Sequence, residues 1–358
     1  MRLLIVDDSA LYRKILSEAA SGIPDVETVT APNGEIGLAR LKAERIDLVL
    51  LDVFMPDRNG PDVLQDIRRE HRGVPVVMVS GATGRDAEIT LGALAQGAMD
   101  FIPKPATTSV EASVAAIRSD IRRVIDAARL RSANRAASSQ KVPAPSASSP
   151  APPITAPVRR LSPPPFLDIL LIGVSTGGPR ALGEIMPGLA PNFPVPIVIV
   201  QHMPPVFTQS LAAQLDRTCP LNVLEAPAGH APAAGEVLIA PGGKHLELVK
   251  EANGMVRTRF SDAPPVHSCR PSVDVLFQTA ARCGYRGAVS LILTGMGSDG
   301  ANGVRALKEA IPLWSIAQNA QTCAVYGMPQ AVVQAGLDDE CLALGDIAPR
   351  LNKLFRVP

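Results

Sequence analysis

The chain has 358 residues, 46% of them hydrophobic and 19% charged, with 35 basic side chains against 34 acidic ones. That length suits two cores rather than one, and that apolar fraction excludes disorder throughout. A formal charge of +1 leaves no field to gather polyanions, so nucleic acid is not an expected partner.

No apolar run approaches the roughly 18 residues of a membrane span. Met1-Arg2-Leu3 leads directly into Val6-Asp7-Asp8 rather than a signal peptide. A cytoplasmic protein without membrane insertion is expected. Five scattered cysteines with no CxxC pair suggest neither disulfides nor zinc.

An apolar strand over Arg2 to Val6 ends in Asp7 and Asp8, and Ser9 then caps a helix that puts Leu11, Ile15 and Leu16 on one face. Strand patterns recur at Val26 to Thr30, Ile46 to Leu51, Val74 to Val79 and Ala98 to Ile102, with helix-length stretches such as Gly34 to Glu44 and Asp86 to Gln96 between them. Strands alternating with helices predict a doubly wound parallel sheet. A helix from about Ser109 to Arg131, striped by Val110, Val114, Ile117, Ile121 and Ile125, closes this first domain, residues 1 to 131.

Residues 132 to 165 turn to Pro, Ala and Ser, a composition that predicts extended linker. From 166 to 358 a second α/β series opens, with strands at Asp168 to Val174, Pro196 to Val200 and Ala288 to Leu293. Inside it, Lys244 to Lys250 and Met255 to Phe260 flank Asn253-Gly254 and predict a small antiparallel hairpin.

Asp7, Asp8 and Asp52 all fall at strand ends on the carboxyl edge of the first sheet, where doubly wound folds place their sites. Three carboxylates together need a cation, and Mg²⁺ suits hard oxygen ligands while keeping room for a phosphoryl oxygen. Asp52 is then the candidate nucleophile for an aspartyl phosphate. Ser80 can bond a phosphoryl oxygen and Lys104 can neutralise it, with a cis Lys104-Pro105 bond as one way to fix the lysine's approach.

Over residues 1 to about 128, Val6-Asp7-Asp8-Ser9, Leu51-Asp52-Val53-Phe54-Met55-Pro56, Ser80-Gly81 and Lys104-Pro105 closely resemble the receiver domain of bacterial response regulators. The resemblance implies a flavodoxin-like fold, phosphate transfer to Asp52 from a histidine kinase, Mg²⁺ held with Asp7 and Asp8, and a signal passed on by Ser80 and Phe101. Asn59-Gly60 departs from the Asp-Gly usual after the Met-Pro turn, which is expected to alter turn detail more than chemistry.

In the second domain Gly173-Val174-Ser175-Thr176-Gly177 follows a strand and opens a helix, an arrangement that lifts a serine hydroxyl above a sheet. The glycines do not fit a dinucleotide fingerprint and no P-loop lysine follows. His202 at the end of the second strand and Asp299 beyond the third supply base and orienter from separate strand ends. Plainer roles stay open: a helix cap for Asp299, a satisfied backbone carbonyl for His202. His245, inside the hairpin, is a rival base. Glycine-rich backbone near Gly177 or Met296-Gly297 can offer oxyanion donors.

From about Leu167 to Leu354, Gly173-Val174-Ser175-Thr176-Gly177-Gly178-Pro179, Gln201-His202-Met203-Pro204-Pro205, Arg270-Pro271-Ser272-Val273-Asp274 and Leu293-Thr294-Gly295-Met296-Gly297-Ser298-Asp299-Gly300 strongly resemble the catalytic domain of chemotaxis protein-glutamate methylesterases. The resemblance places a catalytic triad on Ser175, His202 and Asp299, with Thr176 and Met296 as further active-site positions. It implies hydrolysis of glutamate γ-methyl esters, and deamidation of glutamines, on methyl-accepting chemotaxis receptors. It also implies that the unphosphorylated receiver blocks the crevice, that phosphate on Asp52 relieves the block, and that the esterase needs no cofactor. A phosphorylation-dependent adaptor without catalysis and a transcription regulator are the alternatives, and no basic recognition helix follows the linker.

Overall fold

The computed structural model describes residues 1–105, 109–139 and 162–357. Most of the Pro-, Ala- and Ser-rich stretch therefore lies outside the described residues. Two parallel sheets organise the rest, and both were legible as strand–helix alternation.

The first sheet has the order β2-β1-β3-β4-β5, from β1 (Arg2–Val6), β2 (Glu27–Ala31), β3 (Leu48–Asp52), β4 (Val76–Ser80) and β5 (Asp100–Pro103). β3 and β4 are buried at every position because helices cover both faces. α1 (Ala10–Ser21) and α5 (Val110–Ser139) pack together on one side. α2 (Gly34–Ala43), α3 (Gly60–Glu70) and α4 (Gly84–Ala95) complete the domain. Ser9 caps α1, its hydroxyl accepting from Tyr12 N. Leu11 does not join Ile15 and Leu16 inside; it is 52% exposed, one residue off the buried stripe. α5 runs to Ser139, past the expected end at Arg131.

The second sheet holds seven parallel strands in the order β14-β13-β12-β6-β7-β9-β8. Its centre is β6 (Ile169–Val174), flanked by β7 (Ile197–Gln201) and β12 (Ala288–Ile292). β8 (Asn222–Glu225), β9 (Glu236–Ile239), β13 (Leu313–Gln318) and β14 (Glu340–Leu342) extend the edges. The expected hairpin is present as β10 (His245–Lys250) and β11 (Val256–Ser261), paired antiparallel. Helices α6 (Gly178–Ile185), α7 (Phe207–Asp216), α8 (Val273–Ala280), α9 (Ala301–Ala310), α10 (Met328–Gln334) and α11 (Leu344–Leu354) connect the strands.

From β6 the chain first builds one side of the sheet with β7, β8 and β9 and later the other with β12, β13 and β14, so the crevice between β6 and β12 is a topological switch point. The first domain covers this edge. Its α4 packs against α6 and α7, and Phe101 at the start of β5 stacks on Phe207 of α7 with ring centroids 4.2 Å apart. Among the described residues no helix is long and apolar enough to cross a membrane.

Candidate active site and phosphoacceptor pocket

Ser175 follows β6 on a turn that only glycine can complete. Gly177 holds φ at +80°, and a side chain on Gly295 would strike Ser175 Cβ at 2.7 Å. The turn is pinned by Ser175 N donating to Thr294 O and by Gln201 Nε2 donating to Ser175 O, both at 3.0 Å. Gln201 thereby ties the serine to the strand that delivers His202, a link no motif had suggested.

His202 Nε2 donates to Asp299 Oδ2 at 2.8 Å. Asp299 was equally readable as a cap for the helix after it. It caps a different one: Val273 N, Asp274 N and Ser272 Oγ, at the start of α8, donate to its carboxylate at 2.7, 2.9 and 2.8 Å. Asp274 returns the favour to α9, accepting from Gly300 N and Gly303 N at 2.9 and 2.6 Å. The two helix starts are cross-braced by each other's acids.

Burial alone would raise the Asp299 carboxyl, but His202 and the α8 amides outweigh it and hold the group below its usual value. Burial would lower His202; the bonds to Asp299 and to Cys269 overcome it and push the imidazole up to about 9. Cys269 Sγ lies 3.4 Å from His202 Nδ1.

Ser175, His202, Cys269 and Met296 line one cavity of about 640 Å³, whose far wall is β5 and α5 of the first domain. Among the described residues the Ser175 hydroxyl makes no hydrogen bond. His245 is elsewhere: fully buried, with Nε2 donating to Pro264 O at 3.2 Å, it does not face this cavity and is withdrawn as a rival base.

Thr176 is buried and points into the first domain. Its hydroxyl donates to Asp100 Oδ2 at 2.6 Å, and Arg123 binds the same carboxylate while donating to Thr176 Oγ1 at 3.2 Å. Asp100 and Arg123 escaped the sequence reading because a strand-start acid and a helical arginine carry no local signature.

In the first domain, Asp7, Asp8 and Asp52 offer oxygens that all lie within 4.8 Å of one another. Lys104 Nζ sits 2.8 Å from Asp52 and 3.1 Å from Asp7, and 4.4 Å over the Tyr12 ring. Burial pushes Asp52 up to about 6, against the opposing pull of Lys104, with Asp7 and Asp8 adding repulsion. Asp7 Oδ2 is buried with the Lys104 ammonium as its one close partner among the described residues. This donor set fits a hard divalent cation. Ser80 is turned toward α4, accepting from Thr90 Oγ1 at 2.6 Å and donating to Gly81 O at 3.2 Å. The Lys104-Pro105 bond is trans, correcting the cis alternative; among the described residues the cis peptide is Arg270-Pro271.

Two family descriptions match the chain: CheB methylesterase over residues 170–351 and response regulator receiver domain over residues 3–115. A protein from Geobacillus kaustophilus named protein-glutamate methylesterase/protein-glutamine glutaminase is 41% identical over 99% of both chains. One of the same name from Desulfotalea psychrophila is 39% identical over 98% of this chain and 97% of its own. The crystal structure of the Thermotoga maritima CheB methylesterase catalytic domain is 44% identical, with a TM-score of 0.51, and covers 53% of this chain and 99% of its own.

Proposed function

The chain belongs to the CheB methylesterase family and carries a response regulator receiver domain; as a protein-glutamate methylesterase/protein-glutamine glutaminase, we propose, it works through Ser175, His202 and Asp299 under control of phosphate on Asp52. The single observation that carries the reading is the 2.8 Å bond between His202 and Asp299 in the cavity that Ser175 also lines.

Asp299 holds Nε2–H, so Nδ1 is the basic nitrogen. As Ser175 Oγ attacks the γ-carbonyl of a methylated glutamate, Nδ1 takes the serine proton and Asp299 stabilises the imidazolium. The N–H groups of Thr176 and Met296, which make no hydrogen bond among the described residues, are the candidate donors to the oxyanion. Collapse expels methanol, protonated by His202. Water then attacks the acyl-enzyme, the ester to Ser175 breaks, and a glutamate carboxylate is left. With a glutamine substrate the same steps release ammonia.

The receiver supplies control. A carboxylate oxygen of Asp52 attacks the phosphorus of a kinase phosphohistidine, and the N–P bond breaks as the acyl phosphate forms. Mg²⁺ held by Asp7, Asp8 and Asp52 would neutralise charge on the transferring group, with Lys104 beside it. Ser80 and Phe101 would relay the change, and Phe101 already lies on Phe207 of the catalytic domain. Docked as here, the receiver walls the cavity and grips Thr176, which supports a resting form that phosphate releases. The division proposed is receiver 1–131, linker 132–165 and catalytic domain 166–358, acting in the cytoplasm on the inner portions of chemotaxis receptors, fed by a chemotaxis histidine kinase. Methanol release from methylated receptor by folded Ser175→Ala protein at the parent's rate would end this reading.

A further inference from the structure

The turn that carries Cys269 is strained and doubly anchored. Cys269 N donates to Val266 O at 2.8 Å and Val266 N donates to Cys269 O at 3.1 Å. Between them His267 and Ser268 hold φ of 50° and 61°, the left-handed region that side chains resist. His267 is held in turn by Asp274, Nε2 to Oδ2 at 3.2 Å. Strain kept in place by its surroundings points to a use for what the turn presents.

What it presents is a sulfur. With Asp299 on Nε2 and Cys269 Sγ on Nδ1, both ring nitrogens of His202 are engaged, and neither partner is the nucleophile. A general base must reach the proton that it removes. We propose that Cys269 is a positioning residue that parks the His202 ring, and that the site becomes competent when Nδ1 exchanges Cys269 Sγ for Ser175 Oγ, with Asp299 as the fixed pivot. The inference rests on the reading of His202 as the base.

The sulfur touches no reacting atom; it acts through the ring. Together with Asp299 it favours the charged imidazole, and an imidazolium cannot accept the serine proton. In that form Nδ1–H donates to Sγ, so losing the sulfur lowers the pH at which Nδ1 sheds its proton and can accept from Ser175. The other titratable groups near the ring are His267 and Arg270 on the same loop and Asp274 behind Asp299. Asp100, Asp120, Arg122, Arg123 and Asp126 face the cavity from the receiver. All of these persist in a Cys269 variant, so a shift is traceable to position 269.

The test uses the full chain and methanol release from a methylated receptor cytoplasmic fragment as a function of pH. The same proteins are followed by NMR titration of the His202 ring, which is tractable with five histidines and a His202→Asn control for assignment. Cys269→Ala and Cys269→Val, the latter filling the space, are expected to move the acid limb of kcat and the ring titration down by about one pH unit. Both raise kcat near neutrality about 3- to 10-fold at unchanged KM. Cys269→Ser, which restores a polar partner, moves both back toward the parent. An unmoved limb and ring titration in the folded Ala or Val protein overturns the proposal, as does a fall in kcat. If His202→Asn keeps the parental rate, the base assignment itself fails, a separate outcome.

Discussion

Asp299 and Asp52 occupy equivalent places, each buried at or just beyond a strand's carboxyl end in a parallel sheet, yet their environments drive them in opposite directions. Asp299 accepts from two α8 amides, a serine hydroxyl and a histidine, and its carboxyl falls below the ordinary value. Asp52 has one lysine against two neighbouring acids and rises to about 6. Burial is common to both; the number of donors decides. One carboxylate is fully satisfied, as the proposed pivot for His202 requires, while the other stays under-neutralised, as the proposed pocket for a cation and a phosphoryl group requires.

The comparison breaks most visibly at the proposed nucleophile. Folded Ser175→Ala protein is expected to lose methanol release by about 10⁴-fold or more, because the remaining machinery supplies only polarisation. Asp299→Asn tests whether the satisfied carboxylate matters as a charge: the amide presents the wrong donor to Nε2, and kcat is expected to fall about 10³- to 10⁴-fold. Retained activity there would reduce Asp299 to a brace for α8.

Between the two sites lies the grip on Thr176. Arg123→Ala leaves Asp100 without its counter-charge and should loosen the docked receiver, so basal esterase activity without phosphodonor is expected to rise about 3- to 10-fold, the yield of roughly 1 kcal/mol lost from docking. A fall, or no change, would mean that the contact does not restrain the enzyme.

The smallest effect sharpens the other side of the comparison. A carboxyl whose folded value is raised from 3.8 to about 6 binds more protons folded than unfolded between those limits, so it lowers stability as pH climbs from about 4 to 6. Asp52→Asn should therefore stabilise the receiver by about 1–3 kcal/mol at pH 7 and by little at pH 4. Denaturant melts at both pH values, with and without Mg²⁺, check this, since the cation should narrow the gap only in the parent.

Much of this was readable along the chain. β1, β3 and β4 announce themselves as apolar runs ending in Asp7, Asp52 and Ser80, and the Gly-x-Ser-x-Gly turn after β6 marks Ser175. The edge strands β8 and β14 went unread because short, partly buried segments carry little periodicity, and β9 and β13 because a buried apolar run has no alternation to mark it as strand. Leu11 was misplaced because a helical face is set by what packs on it, not by spacing alone.

Sequence by itself determined which residue types stand at strand ends, and so which chemistry was on offer: three acids in one sheet, and a serine, a histidine and an acid in the other. Only the folded chain decided who bonds whom. Asp299 on α8 rather than α9, Gln201 beneath Ser175, Cys269 against His202 and Asp100 on Thr176 join positions 25 to 76 residues apart. His202 and Asp299, 97 residues apart, meet across β6 from the ends of β7 and β12. Local pattern fixes backbone conformation through sterics and hydrogen bonding within a few residues, whereas a donor's partner is chosen by packing between elements, which no short window contains.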